Sequence, residues 1–220
     1  MLGPVDLVAL GALTGAFPLY HMLLPWLRKR LERYSTGKRA KREMKSWIES
    51  TVGDGKVIVA VQQTRNTTMV ASLLASSSLI IMTLSASLVI HDKNAPQPDG
   101  TFPLDALSIK AMALFVLLAI AFSSFVQCLN GMGRFTVMIG CELRTLDRTE
   151  GDGIRYLVDT FLRAVRSYRV GIRHLHAVFP IFFWLFDPRY CIAACIVLWL
   201  KFFFTEDFVW LIRKRPRPVR

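Results

Sequence analysis

Between Thr67 and Ile90 the chain carries no ionisable residue. Wound as an α-helix, at about 1.5 Å per residue, this run is long enough to cross a hydrocarbon core of about 30 Å. A helix is also the form that pairs every backbone N–H within the segment, which an environment without water demands. The same helix extends back through Val57 and takes in Gln62-Gln63-Thr64-Arg65-Asn66. There Gln62, Arg65, Asn66 and Met69 share one face, at spacings of three, four and seven. A polar stripe at the mouth of an apolar helix predicts that something is placed against it. Further along, Ala71 and Ala75, and Ser72 and Ser76, repeat at four and permit close helix approach.

Three more apolar stretches follow the same logic. Val5 to Leu27 reads as the first membrane segment and a retained anchor, with no basic leader before it and no clear cleavage site. It holds Asp6 near its outer end, then Pro18 and Pro25. Ala106 to Leu129 is the third segment, with Lys110 near its end to be snorkelled, and the helix is expected to run on into Arg134. Val178 to Phe204 is apolar but broken by Asp187-Pro188-Arg189. It is either one kinked crossing or a shallow arm followed by a crossing from Tyr190 to Ile212. Between the first two segments, Met44, Trp47 and Ile48 mark a short amphipathic helix that Gly53-Asp54-Gly55 ends, with Trp47 suited to the headgroup layer. Ile154 to His176 is a second amphipathic helix, one side lined by Arg155, Arg163, Arg166, Arg169 and Arg173.

The expected fold is therefore an all-α membrane protein, a four-transmembrane-helix bundle with two cytoplasmic amphipathic helices. Residues 1–212 make one domain and 213–220 a basic disordered tail. In 220 residues, 53% hydrophobic with mean hydropathy +0.38, the net charge of +12 falls almost wholly between and after the apolar runs. That distribution fits loops retained on the cytoplasmic side and speaks against nucleic acid as a partner. The two long basic loops then lie inside and the acidic connection His91–Asp105 outside. Four crossings would leave the basic tail outside, against its own charge; a re-entrant hairpin turning at Asp187-Pro188 would return it to the inside. Four crossings are preferred.

Catalytic and metal chemistry find little footing. Cys128, Cys141, Cys191 and Cys195 form no CxxC pair, and Cys191 and Cys195 read as small packing residues. Gly131-Met132-Gly133 lacks the strand and the Lys-Ser/Thr of a phosphate loop. His174 and His176 are two apart on a helix and point different ways. No metal and no cofactor is expected, and an enzyme ranks behind the other function classes. What remains is a polar constellation at the cytoplasmic helix ends: Gln62, Arg65 and Asn66 opposite Gln127, Asn130 and Arg134, with Tyr20 and His21 arriving from the first helix. Arg65 and Arg134 offer planar, permanently charged donors for a phosphate or carboxylate. Against this stands the plainer reading, in which these groups bond one another and bind headgroups.

The Tyr20-His21 pair, the basic loop with Arg42 and Trp47, and the block AVQQTRNTTMVASLLAS (Ala60–Ser76) resemble the integral-membrane family catalogued as domain of unknown function 599. Asn130 to Gly140, Pro180 to Trp184 and Asp187-Pro188 are similar to its remaining blocks. The resemblance implies a multi-pass protein of bacteria and plants and carries no assigned activity. From the residues themselves the expected role is a non-enzymatic accessory or scaffold component of a bacterial inner membrane or an organellar or plasma membrane. It would bind anionic lipids and a membrane-protein partner, or a second copy, through its basic loops. The alternative is a carrier or channel for a small anion bound by the Gln/Arg/Asn constellation.

Overall fold

The computed structural model describes residues 3–14, 36–92, 106–141 and 152–202, and these are α-helical apart from short joints. In chain order the helices are α1 (Pro4–Thr14), α2 (Thr36–Gly53), α3 (Val57–Asp92), α4 (Ala106–Ile139), α5 (Gly153–Phe186) and α6 (Pro188–Phe202). Tyr20, His21 and the basic tail lie outside the described residues. Two helices are long and apolar enough to cross a membrane, Val57–Ser87 within α3 and Ala106–Ile139. Two shorter apolar helices, Pro4–Leu13 and Pro188–Leu198, accompany them. By length and composition this is two spans among the described residues, against the four expected.

The seam that joins the long helices is written in α4. Its buried apolar positions run Ala111, Leu114, Leu118, Ala121, Phe125, Cys128, Met132, Phe135 and Ile139, in alternating steps of three and four. That 3.5-residue repeat keeps one stripe facing its neighbours along the whole helix. α3 meets it with small residues: Ala60, Thr64, Ala71, Ala75, Ser78 and Ser85 are all buried. The hydroxyls in this stripe are satisfied within their own helix, Thr64 donating to the Ala60 carbonyl and Ser78 to that of Leu74, each at 2.7 Å. On the other side α5 approaches so closely that a Cβ on Gly131 would stand 2.7 Å from the Ala164 Cβ, and one on Gly171 would meet the Phe125 ring at 2.7 Å. Without a hydrophobic force between helices in lipid, such small-residue contact is what holds them together. Ala71 and Ala75 pack as expected; Ser76 is exposed, and Ser78 takes its place.

Two expectations about α5 and α2 are corrected. The amphipathic stretch from Ile154 and the apolar arm to Phe186 are one continuous helix of 34 residues, about 51 Å long, not a surface helix followed by a separate segment. Asp152 caps its start, accepting from the Arg155 N–H at 2.9 Å. Pro188 ends it, because a residue before proline is pushed out of the helical region. Asp187 accordingly sits at φ −152°, ψ 133°, and its carboxylate accepts from the Arg189 N–H at 2.7 Å, starting α6 with Pro188 in the first helical position. α6 then folds back along α5, placing Cys191 and Cys195 beside Trp184 and Lys201 beside His176. The break is thus a hairpin and not a kink. Trp47 is not spread in a headgroup layer either. It stacks on Phe135 at 6.5 Å and packs against Phe161 at 6.0 Å, docking α2 onto a small core of Ile48, Ala60, Phe135, Ile139, Leu157 and Val158 at the basic end of the bundle.

Candidate functional site

The polar stripes do not meet. Gln62 lies nine residues before Ala71, and Arg134 nine after Phe125, which is two and a half turns at about 3.6 residues each. Each stripe therefore stands on the side of its helix opposite the packed seam. Gln62, Arg65, Asn66, Gln127, Asn130 and Arg134 are all exposed. The constellation expected between α3 and α4 is instead spread around the outside of the bundle.

The spread has order along the bundle axis. Ala71, Cys128, Met132 and Ala164 form one layer of the core, and Ala60, Phe135, Ile139, Leu157 and Val158 the next towards the basic end. Arg65 falls between Ala60 and Ala71 on α3, Arg134 between Met132 and Phe135 on α4, and Arg163 between Val158 and Ala164 on α5. All three arginines are exposed and at one height, a belt of guanidinium groups around three helices. α3 is uncharged from Thr67 to Ile90, so this height is also where its apolar run begins.

At the other end a buried charge pair ties three helices together. The Lys110 ammonium on α4 lies 3.1 Å from the Asp6 carboxylate on α1, and the Trp184 indole N–H on α5 donates to the same carboxylate at 2.9 Å. The Gly3 N–H donates to its second oxygen at 3.1 Å. The side chains of Lys110 and Asp6 are only 10% and 15% exposed, and the ammonium also stands 5.3 Å from the centre of the Trp184 ring. Lys110 is therefore held inside, not snorkelled outward. Ala9, Cys191 and Cys195 pack around Trp184, so the two cysteines are the packing residues expected of them. The signal for this pair is present in the sequence: one acid and one base, each near one end of an otherwise uncharged segment.

Between α5 and α6 lies a groove of 430 Å³, walled by Phe179, Phe183, Tyr190, Ala193 and Val197. His176 and Lys201 close its end nearer the basic side. The His176 Nδ1 pairs with the Ile172 carbonyl at 2.8 Å and so must be the donor there. In the neutral ring Nε2 is left as an acceptor, and the Lys201 ammonium meets it at 2.8 Å. His174 likewise bonds its own helix, at the Val170 carbonyl. No group of three or more His, Cys, Asp or Glu that could hold a metal occurs among the described residues.

Over residues 8–209 the chain matches the family model described as "Protein of unknown function, DUF599". The chain belongs to this family. The match takes in the belt arginines, the Lys110–Trp184 contact, the hairpin and the groove, while Asp6 lies just before it. No curated protein and no solved structure matches this DUF599 member.

Proposed function

We propose that this is a multi-pass membrane protein that works without catalysis, as an accessory or scaffold component gripping anionic lipids at its cytoplasmic boundary. The observation that carries the reading is the belt of Arg65, Arg134 and Arg163 at the height where the uncharged run of α3 begins. Exposed guanidinium groups at a lipid–water boundary bind phosphate in the bidentate fashion that suits them, and each basic residue near an anionic surface contributes about 1 kcal/mol. Spread over three helices, they anchor depth and rotation better than they would enclose one small solute. The close packing of α3, α4 and α5 at Ala71, Gly131 and Ala164 favours this over passage of an anion between them.

The hairpin at Asp187 bears on topology. α5 is long enough to project its Arg-rich start from the membrane and still cross it, and α6 then returns. On the proposed reading α1, α3, α4, α5 and α6 are five crossings, of which α3 and α4 hold the two spans long and apolar enough by themselves; the basic tail would then fall on the cytoplasmic side, in keeping with its charge.

The test is lipid enrichment around the purified protein in nanodiscs made from equal parts phosphatidylglycerol and phosphatidylcholine. Wild type should draw phosphatidylglycerol into its lipid shell, and Arg65→Gln combined with Arg134→Gln should reduce that enrichment at least twofold. An unchanged lipid shell in the double variant would overturn the reading.

A further inference from the structure

The α5–α6 groove carries its polar groups at membrane depth. His176 lies on α5 between Leu175 and Val178, which pack against Leu114 and Leu118 in the middle of the long α4 span. From Arg163 in the belt to His176 is thirteen residues, about 20 Å along the helix; from His176 to Trp184 is eight, about 12 Å. The His176–Lys201 pair therefore stands well inside a hydrocarbon core of about 30 Å. An ionisable side chain at that depth is costly, and where it is kept it marks a functional site. From the pair, the groove runs towards the Trp184 end between Phe179 and Phe183 on α5 and Tyr190, Ala193 and Val197 on α6. Phe179, Phe183, Tyr190 and Val197 are all exposed, so the groove opens sideways, to lipid on the membrane reading. Its volume of 430 Å³ lies within the range of about 300–1,000 Å³ common for ligand sites.

We infer that the groove binds one isoprenoid quinone, with the ring at the His176–Lys201 end and the tail along the aromatic wall. The inference rests on the reading of α5 and α6 as membrane crossings and is independent of the arginine belt. A phospholipid of either leaflet keeps its headgroup at one boundary or the other, so it would bring only a chain terminus to this polar pair. A fatty acid would have to carry its carboxylate out of water to the same depth. A quinone is uncharged, dissolves in hydrocarbon and presents carbonyl oxygens on a flat ring. Each feature has its counterpart here. The His176 Nδ1 donates to the Ile172 carbonyl, which fixes Nε2 as the acceptor of a neutral imidazole. The Lys201 ammonium has three donors, one of which His176 Nε2 takes at 2.8 Å. A carbonyl of the oxidised ring can accept from Lys201, and a hydroxyl of the reduced ring can donate to Nε2. Phe179 and Phe183, one turn apart on α5, offer faces for a flat ring, and the small Ala193 and Ala194 leave room opposite them.

The experiment is native mass spectrometry of the full chain, purified in detergent and incubated with ubiquinone-2 in the presence of excess dioleoyl phosphatidylglycerol. Wild type is expected to retain a single ubiquinone-2 after activation that strips detergent and phospholipid. Ala193→Trp, which fills the groove from an exposed position, should lower the retained fraction at least tenfold. His176→Leu with Lys201→Met, which keeps the groove but removes its hydrogen-bonding end, should do the same. Should these variants fail to accumulate, an azido-ubiquinone answers the question on wild type: its cross-links should map between Phe179 and Lys201. No quinone retained by wild type, displacement by the phospholipid, full retention by either variant, or cross-links mapping elsewhere would each overturn the site. The belt variant separates the two readings, because Arg65→Gln with Arg134→Gln should keep the bound quinone. If that variant leaves the lipid shell unchanged while the quinone is held, the belt fails and the groove stands. Phosphatidylglycerol enrichment in wild type without a bound quinone is the converse.

Discussion

Gly131 and Gly133 sit two residues apart on α4 and have opposite reasons for being small. An added methyl at Gly131 would press on the Ala164 Cβ at 2.7 Å, while one at Gly133 meets nothing within 4 Å. Gly131→Ala should therefore destabilise the bundle by about 1–3 kcal/mol through overpacking. Gly133→Ala should stabilise it by up to about 1 kcal/mol, the difference in helix propensity. Unfolding of the two variants side by side in mixed micelles checks this, and equal midpoints would sink the argument. The charge pair gives a second contrast. Lys110→Met leaves the Asp6 carboxylate buried with only the Trp184 and Gly3 N–H groups, at a cost of about 3–5 kcal/mol. Adding Asp6→Asn removes the orphaned charge, so the double variant should be the more stable of the two. A double variant less stable than Lys110→Met would mean that the pair is not a coupled unit.

Among the elements, α3 and α4 were the most legible, because a long uncharged run admits few other forms. Their facing was not. Two stripes run along α3, Gln62-Arg65-Asn66 and Ala71-Ala75-Ser78-Ser85, and by composition the polar one is the side that calls for a partner. The small-residue stripe does the packing, and the polar stripe, located at the mouth of the run, is left exposed. The continuity of α5 was hidden for a related reason. Its first half is amphipathic and its second half apolar, so periodicity alone reads a boundary near His176 where the backbone has none. The hairpin is legible at Asp187-Pro188 only as the less favoured alternative, because the length of the last apolar stretch argues for a single crossing. α2 yields a prediction of its own. Trp47 is half-buried between Phe135 and Phe161, so Trp47→Ala should loosen the docking of α2 by about 2 kcal/mol, half the figure for a fully buried tryptophan. Faster trypsin cleavage at Arg42 or Lys56 than in wild type would register it; an unchanged cleavage rate would show that α2 is held by other contacts.

For the whole molecule the number of crossings decides which compartment each end sees. In a Cys141→Ser background, single cysteines at Lys38, Gln97 and Val219 are to be labelled with an impermeant maleimide on sealed vesicles. Five crossings predict that Val219 behaves like Lys38 and opposite to Gln97. Labelling of Val219 together with Gln97 would mean that α5 and α6 do not both cross.

The contact between Asp6 and Trp184 spans 178 residues of sequence. A ribosome adding about 5–20 residues per second needs roughly 10–35 s to cover that distance. α1 is therefore made with a carboxylate that has only the Gly3 N–H beside it, and the ammonium of Lys110 and then the indole of Trp184 follow later in the chain. Its final seat is assigned only when the last hairpin has been made. Until then α1 lacks one of the side chains that fix its carboxylate in the finished bundle, and a chain that stops before α5 lacks that indole for good.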